Sequence, residues 1–412
     1  MAAAPSRRPD LDALRVFACY LLFVFHVGMV FNPAPFYHVR NHEVSFVFLV
    51  LCGFIGLWHM PLFFLLAGWS AAASLGTRGI GAFLRERGSK LAIPLATGCI
   101  LLAPGIKYVE LRSGLDLNHR GLRVSDELQE GFRSVVPMDL PRAQPFDEGF
   151  LDFVPTFFTD LDRFTWSHLW FLAYLLTLTL VLLPAFVWLL RRGGEAGRPA
   201  RPWIYLPILP LALIQLVLRE RFPGPYNLYH DWANLSFFGT FLVCGFLLAW
   251  RPQLEDRARE EWRRALAAAL AATGVLLAAV LGASDWPPLL LVGSAVAGWC
   301  FVVALLGFAR ERFVRASPAL RWLSESAFPV YLLHQPVIVF LGYRVVRLPL
   351  GVAAKFAVLL AGSIALTLAL YHFAVRPFGP TRFLAGMKPR SSGGRTTPWI
   401  RVRKEMQCRE PA

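Results

Sequence analysis

The chain has 412 residues, 56% of them hydrophobic and only 17% charged, with a formal net charge of +15. A composition this apolar excludes an ordinary water-soluble enzyme, and the charges cluster between runs long enough to cross a hydrocarbon core. The excess Arg and Lys lie in alternate short connections and at the C-terminus, with no basic stripe interleaved with stacking aromatics, so no nucleic-acid partner is expected.

In chain order, apolar runs at roughly 11–31, 47–74, 91–109, 166–190, 203–219, 234–250, 265–282, 287–309, 327–346 and 352–374 predict an all-α integral membrane protein. The expectation is a polytopic bundle of about ten transmembrane helices. The first run, LDALRVFACYLLFVFHVGMVF, is interrupted by Asp12, Arg15 and His26 and has no small-residue cleavage site after it. It is therefore expected to stay as the first helix and not to be removed as a signal peptide. The second run is longer than one untilted crossing needs, and Pro61 within it predicts a kink or the start of a re-entrant portion.

Placing the N-terminus inside puts Arg7, Arg8 and the basic connections 78–90, 191–201, 251–264 and 310–321 on the cytoplasmic side, together with the tail. Arg344, Arg347 and Lys355 are the main exceptions to this positive-inside assignment, which rests on the sum over all loops. Both N-terminus and C-terminus are then cytoplasmic, and the protein is expected as a multi-pass protein of the cell inner membrane.

One connection differs from the rest. Residues 111–165 carry acids at Asp116, Asp126, Glu127, Asp139, Asp147, Glu148, Asp152, Asp160 and Asp162, and lie outside on this topology. Such a loop forms either a lid over a polar substrate or a plain solvated connector. The tail 390–412, beginning RSSGGRTTPWIRVRK, reads as a basic, disordered segment against the cytoplasmic leaflet. The organisation is thus a membrane domain over 1–389, containing the extracytoplasmic loop 111–165, and a tail over 390–412. Cys19, Cys52, Cys99, Cys244, Cys300 and Cys408 lack zinc-type spacing, so neither a metal site nor a disulfide framework is expected. No internal repeat of the inverted-transporter kind is visible.

Chemistry concentrates in the first span. Arg15 and His26 are eleven residues apart, three helical turns plus about 20° of rotation, and Asp12 lies within about 40° of the same stripe. Ionisable groups facing lipid cost several kcal/mol, so the stripe is expected to line a cavity or pathway. The segment AFLRERGSKLAIPL places Arg85, Arg87 and Lys90 at the membrane surface on the Arg15 side, as an ordinary positive-inside cluster or as an anion site. Joining the two gives a route with phosphates held at the cytoplasmic face and a histidine about 16 Å deeper than Arg15. Acyl coenzyme A has that shape, and a neutral histidine can accept the proton of a hydroxyl that attacks a thioester without any metal. A proton- or anion-coupled secondary transporter is the alternative reading of the same His and Arg.

The segment from Asp10 to His26, PLFFLLAGWSAA, FLRERGSKLAIPL, HLWFL from His168 and VYLLHQPV from Val330 together resemble the membrane-bound acyltransferase-3 family. The similarity runs to about Arg376, and the branch it most resembles contains the glucan succinyltransferases. The resemblance implies transfer of an acyl group, acetyl or succinyl among others, from cytoplasmic acyl-CoA to a hydroxyl of an extracytoplasmic carbohydrate, with no permanently bound cofactor. His26 matches the catalytic histidine and Arg15 its paired arginine. The Arg-x-x-Arg donor motif falls on Arg87 and Lys90, where lysine keeps the charge and loses the bidentate fork.

His168 and His334 also fall in family strings. His168, with Trp170, either touches the acceptor or belongs to an interfacial aromatic belt with Trp166. His334 reads as an acceptor-side group or as structurally paired with Glu325, and His59 beside Pro61 is similarly open. No serine or threonine sits in a Gly-x-Ser-x-Gly elbow, which favours direct attack by the acceptor hydroxyl, with a transient acyl-histidine left open. The partners implied are acyl-CoA, a carbohydrate and the lipid bilayer. The sequence leaves the acyl group, the acceptor and the oligomeric state open.

Overall fold

The computed structural model describes residues 8–388 apart from 35–36, 118–145, 161, 194–199, 223, 225, 283–285 and 316. Asp126, Glu127, Asp139, Arg7, Cys408 and the tail therefore lie outside the described residues. The described chain is helical, with no strand: α1 (Pro9–Val30), α2 (Phe46–Arg87), α3 (Ile93–Leu101), α4 (Ala103–Arg112), α5 (Phe150–Thr159), α6 (Trp170–Arg192) and α7 (Ile208–Leu218). There follow α8 (Trp232–Trp250), α9 (Pro252–Leu281), α10 (Pro287–Arg312), α11 (Pro318–Val345), α12 (Val352–Leu370) and α13 (Gly379–Leu384).

Nine helical runs among the described residues are long and apolar enough to cross a membrane. One of them, Phe46–Arg112, is 67 residues long. At about 1.5 Å per residue it would extend roughly 100 Å, far beyond a core of about 30 Å, so it is long enough for two crossings, which would make ten among the described residues. Asp12, near the start of the described chain, and Lys388, its last residue, line one cavity, so the two ends of the described chain meet at one end of the bundle, as an even number of crossings would place them.

The helix runs on through Pro61, and the residue that leaves helical geometry is Gly79, at φ 74° and ψ 172°. Pro61 thus begins no re-entrant portion; the chain turns where a glycine can take a positive φ at no steric cost. Several segments read as loops are helical. Residues 80–87 complete α2 and pass through a π turn, Gly88–Ala92, into α3. Their Ala, Leu, Arg and Glu are good helix formers, and Phe83 buries the segment's apolar side. Likewise α9 starts at Pro252, thirteen residues before the apolar run begins, so charges assigned to a connection lie on helical turns.

α1 occupies the middle of the bundle and packs against α2, α10, α11 and α12. Its start is specified locally by Pro9 in the first turn and by Asp10 and Asp12 at the positive end of the dipole. Arg8 then ties it to α9, donating to Asp10 Oδ2 at 2.7 Å and Glu255 Oε2 at 3.0 Å. The α2–α8 crossing is set by small residues: a Cβ on Gly68 would stand 1.9 Å from Leu242 O, and one on Gly245 1.9 Å from Leu65 O. In lipid such backbone contact stands in for hydrophobic burial as a cause of helix association. Gly68→Ala is expected to cost about 1–3 kcal/mol by overpacking, read as a lower Tm in detergent, while Gly76→Ala on the same helix leaves Tm nearly unchanged.

Of the three basic residues that broke the charge rule, Arg344 lies in the last turn of α11, Arg347 follows that helix and Lys355 lies in the first turn of α12. Lys355 is turned inward, donating to Asn41 Oδ1 at 3.0 Å and Val346 O at 2.8 Å, and the Arg347 guanidinium lies 3.7 Å over the Tyr343 ring. Of the long connection, the described part returns to the bundle. α5 seats Phe153 and Phe157 against Ala103 and Leu111, and Arg163 forks onto Glu148 at 2.7 and 2.8 Å. That fork holds the Glu148 carboxyl below its ordinary range and the Arg163 guanidinium above its own.

Candidate active site

The polar stripe of α1 faces α11 along its length. At the end where α1 begins, a cavity of about 740 Å³ is lined by Asp12 and Arg15 from α1, Lys90 from the π turn, and Arg321, Trp322, Ser324 and Glu325 from α11. Arg376 and Lys388 complete it. Five cations thus face two carboxylates, an excess of positive charge suited to a multiply charged anion. Arg15 Nη1 bonds Asp12 Oδ1 at 3.2 Å, Lys90 Nζ bonds Glu86 Oε1 at 2.5 Å, and Arg382 Nη1 approaches Glu325 at 3.4 Å.

The other two surface cations stand differently. Arg87 is buried, its guanidinium 4.9 Å over the Phe83 ring and its Nε without a hydrogen-bond partner. Arg85 is exposed and does not line the cavity.

At the far end of the stripe, His26 meets side chains from two other segments. Its ring lies 5.1 Å from that of His334 on α11 and 5.7 Å, stacked, from Tyr37 in the connection after α1. The His334 ring is in turn 5.2 Å from His168, at the turn that starts α6. His334 Nδ1 bonds Tyr331 O at 2.6 Å and His168 Nε2 bonds Leu332 O at 3.1 Å. Carbonyls only accept, so these nitrogens carry the protons and the opposite ring nitrogens are left as acceptors. Those opposite atoms, His334 Nε2 and His168 Nδ1, are buried without a partner among the described residues, as is His26 Nδ1. Unmet groups cost about 1–3 kcal/mol each, so three on adjoining rings make this cluster a candidate for taking polar groups of a ligand.

His168 is therefore a buried member of this cluster. Trp170 points elsewhere, its ring 4.4 Å from Tyr226 and 5.5 Å from Phe238. His59 bonds Ala18 O at 2.7 Å and pins α2 to α1, a structural use. Sequence reading missed Tyr37 and Gln335, which bond each other at 3.3 Å beside His26, and the cavity cations Arg321, Arg376 and Lys388. Gln335 was in view as the residue after His334. Tyr37 sits in a connection without periodicity, and the cations had been assigned by charge to loops.

Beyond this cluster lies a buried polar group. Lys107 Nζ pairs with Glu110 Oε1 at 2.5 Å and Asp116 Oδ1 at 2.6 Å, and His38 joins the far oxygen of Glu110 to Ser167.

Among the described residues the bundle thus carries a cation-lined cavity at one end of α1 and a histidine cluster deeper along the same helix. The chain belongs to the acyltransferase-3 family, whose acyltransferase domain model matches residues 8–372. It is similar to the glucans biosynthesis protein C of Salmonella heidelberg (strain SL476), at 22% identity over 367 residues, covering 83% of this chain and 85% of the relative. The proteins of the same name from Salmonella agona (strain SL483) and Salmonella enteritidis PT4 (strain P125109) match at the same identity and coverage. No solved structure matches.

Proposed function

We propose that this membrane acyltransferase takes an acyl group, acetyl, succinyl or similar, from cytoplasmic acyl-CoA and places it on a hydroxyl of an extracytoplasmic carbohydrate such as a glucan. The observation that carries the reading is that one helix, α1, presents both ends of the path: Arg15 in the cation-lined cavity and His26, with its unpartnered Nδ1, farther along. Eleven residues of helix separate them by about 16 Å, an interval suited to a pantetheine arm that leaves the CoA phosphates among Arg15, Lys90 and Arg321 and brings its thioester to His26. With both termini in the cytoplasm, the cavity opens to the compartment that holds acyl-CoA and the histidines lie towards the acceptor.

In this reading His26 takes the proton of the acceptor hydroxyl as it attacks the acyl carbon, which raises the nucleophilicity of the oxygen at the moment of bond formation. Arg15 and Lys90 hold donor phosphates, Arg87 and Arg85 add to the field that attracts them, and His168 and His334 offer acceptor nitrogens to the hydroxyls of the carbohydrate. The glucan acceptor is supported by the names of the similar proteins.

The test is thiol release by purified protein in nanodiscs from a panel of acyl-CoAs, with and without cell-envelope glycans. The expected result is release that depends on acceptor. Release from no donor, with folded protein and a broad acceptor panel, would favour the proton- or anion-coupled transporter.

A further inference from the structure

Three side chains from separate parts of the chain form a hydrogen-bonded line that the mechanism above does not use. Ser167 Oγ is 3.0 Å from His38 Nε2, and His38 Nδ1 makes a short contact with Glu110 Oε2. Ser167 and His38 are buried and Glu110 is wholly enclosed, its other oxygen held by Lys107. A carboxylate paired with an ammonium accepts hydrogen bonds and donates none, so the imidazole carries its proton on Nδ1 and turns the Nε2 lone pair to the Ser167 hydroxyl. Nucleophile, base and orienting carboxylate thus stand in the order that activates serine in acyl transfer, an arrangement defined by geometry and not by sequence position.

The backbone supports the same assignment. Ser167 has φ +46°, a left-handed conformation in a residue other than glycine. Such strain persists where surroundings over-determine it and gathers at functional sites. The residue sits on the turn that opens α6, whose N-terminal amide dipoles favour negative charge there. The line also adjoins the histidine cluster: Tyr37 stacks on His26 at 5.7 Å and meets the His38 ring at 5.6 Å, and His168 follows Ser167 directly.

We propose that Ser167 is a catalytic nucleophile that carries the acyl group as an ester between donor and acceptor, with His38 as its base and Glu110 as the residue positioning His38. This rests on the acyltransferase reading and inserts a covalent step into it. In the first half, His38 Nε2 takes the Ser167 Oγ proton, the Oγ–acyl bond forms, the carbon–sulfur bond breaks, and the CoA thiolate leaves and takes a proton from water. In the second, the acceptor hydroxyl gives its proton to His26 and attacks the ester. The Ser167 Oγ–acyl bond breaks, Oγ recovers the proton held on His38, and His26 returns its proton to water. Two bases serve two oxygens, which accounts for both histidines.

The experiment is labelling of full-length protein in nanodiscs with a fluorophosphonate probe, with the modified peptide located by mass spectrometry, beside incubation with acyl-CoA alone. Wild-type protein is expected to take the probe, and from acyl-CoA the acyl mass, on Ser167. His38→Gln should slow labelling at least tenfold. Ser167→Gly relieves the positive φ, so it should remain folded while losing the label and at least a hundredfold of transfer; a hydrogen-bonded clip without chemistry would instead leave transfer intact. Absence of label on Ser167 in folded wild-type protein, or wild-type transfer by Ser167→Gly, overturns the proposal. The two readings fail separately: acceptor-dependent thiol release without a labelled Ser167 removes the serine step and keeps the acyltransferase, whereas label on Ser167 with no thiol release from any donor removes the acyl-CoA reading and leaves an activated serine.

Discussion

His26→Ala is expected to leave the protein in the membrane and folded while lowering acyl transfer by about 10²–10⁴-fold, the range that a positioned general base supplies. The loss should fall on kcat. His26 lies some 16 Å along α1 from Arg15, so on the proposed reading, with the donor phosphates at Arg15, the KM for acyl-CoA should change little. Stability should also be nearly kept, because the ring contributes contacts to His334 and Tyr37 and its Nδ1 has no hydrogen bond to lose. His26→Gln, which keeps much of the volume and cannot act as base, controls for the cavity left by alanine. Steady-state kinetics with one acyl-CoA and saturating acceptor reads both constants. Wild-type turnover in either variant removes His26 from the mechanism.

Arg15→Gln is expected to act oppositely, raising the KM for acyl-CoA by about 10–100-fold with kcat nearly kept. Hydrogen bonds to charged groups are worth about 1.5–3 kcal/mol, and Arg15 reaches the cavity and not the histidines. Arg15→Lys should recover part of the loss, since it restores charge without the fork. The wild-type KM should itself rise with ionic strength, as exposed charges are screened over about 8–10 Å at physiological salt. A fall in kcat with unchanged KM would place Arg15 at the chemistry.

A good part of the candidate site was legible because α1 carries its own periodicity. Asp12, Arg15 and His26 share a stripe whatever surrounds them, since 3.6 residues per turn fixes their relative angle, and the energetic cost of ionisable groups in lipid says the stripe must turn inward. The number of crossings was legible for the same reason, as length and apolarity decide it locally. Where the reading failed locally, at 80–87 and at the start of α9, charge was taken for loop although the residues are good helix formers and Phe83 has an apolar partner surface.

Spacing within single segments was thus enough to specify a polytopic helical membrane protein and the placing of Arg15 and His26 on one face, while the family showed in the likeness of whole strings such as PLFFLLAGWSAA and VYLLHQPV. It took the packed bundle to show that Arg321, Arg376 and Lys388 join Arg15 around one cavity, and that Tyr37, His168 and His334 gather about His26. The packed bundle also brought Ser167, His38 and Glu110 into line, although His38 is 72 residues from Glu110 and 129 from Ser167 along the chain. Contacts of that separation are set by which helices pack side by side, and packing is a property of shapes meeting across the bundle that no periodicity within a single helix encodes.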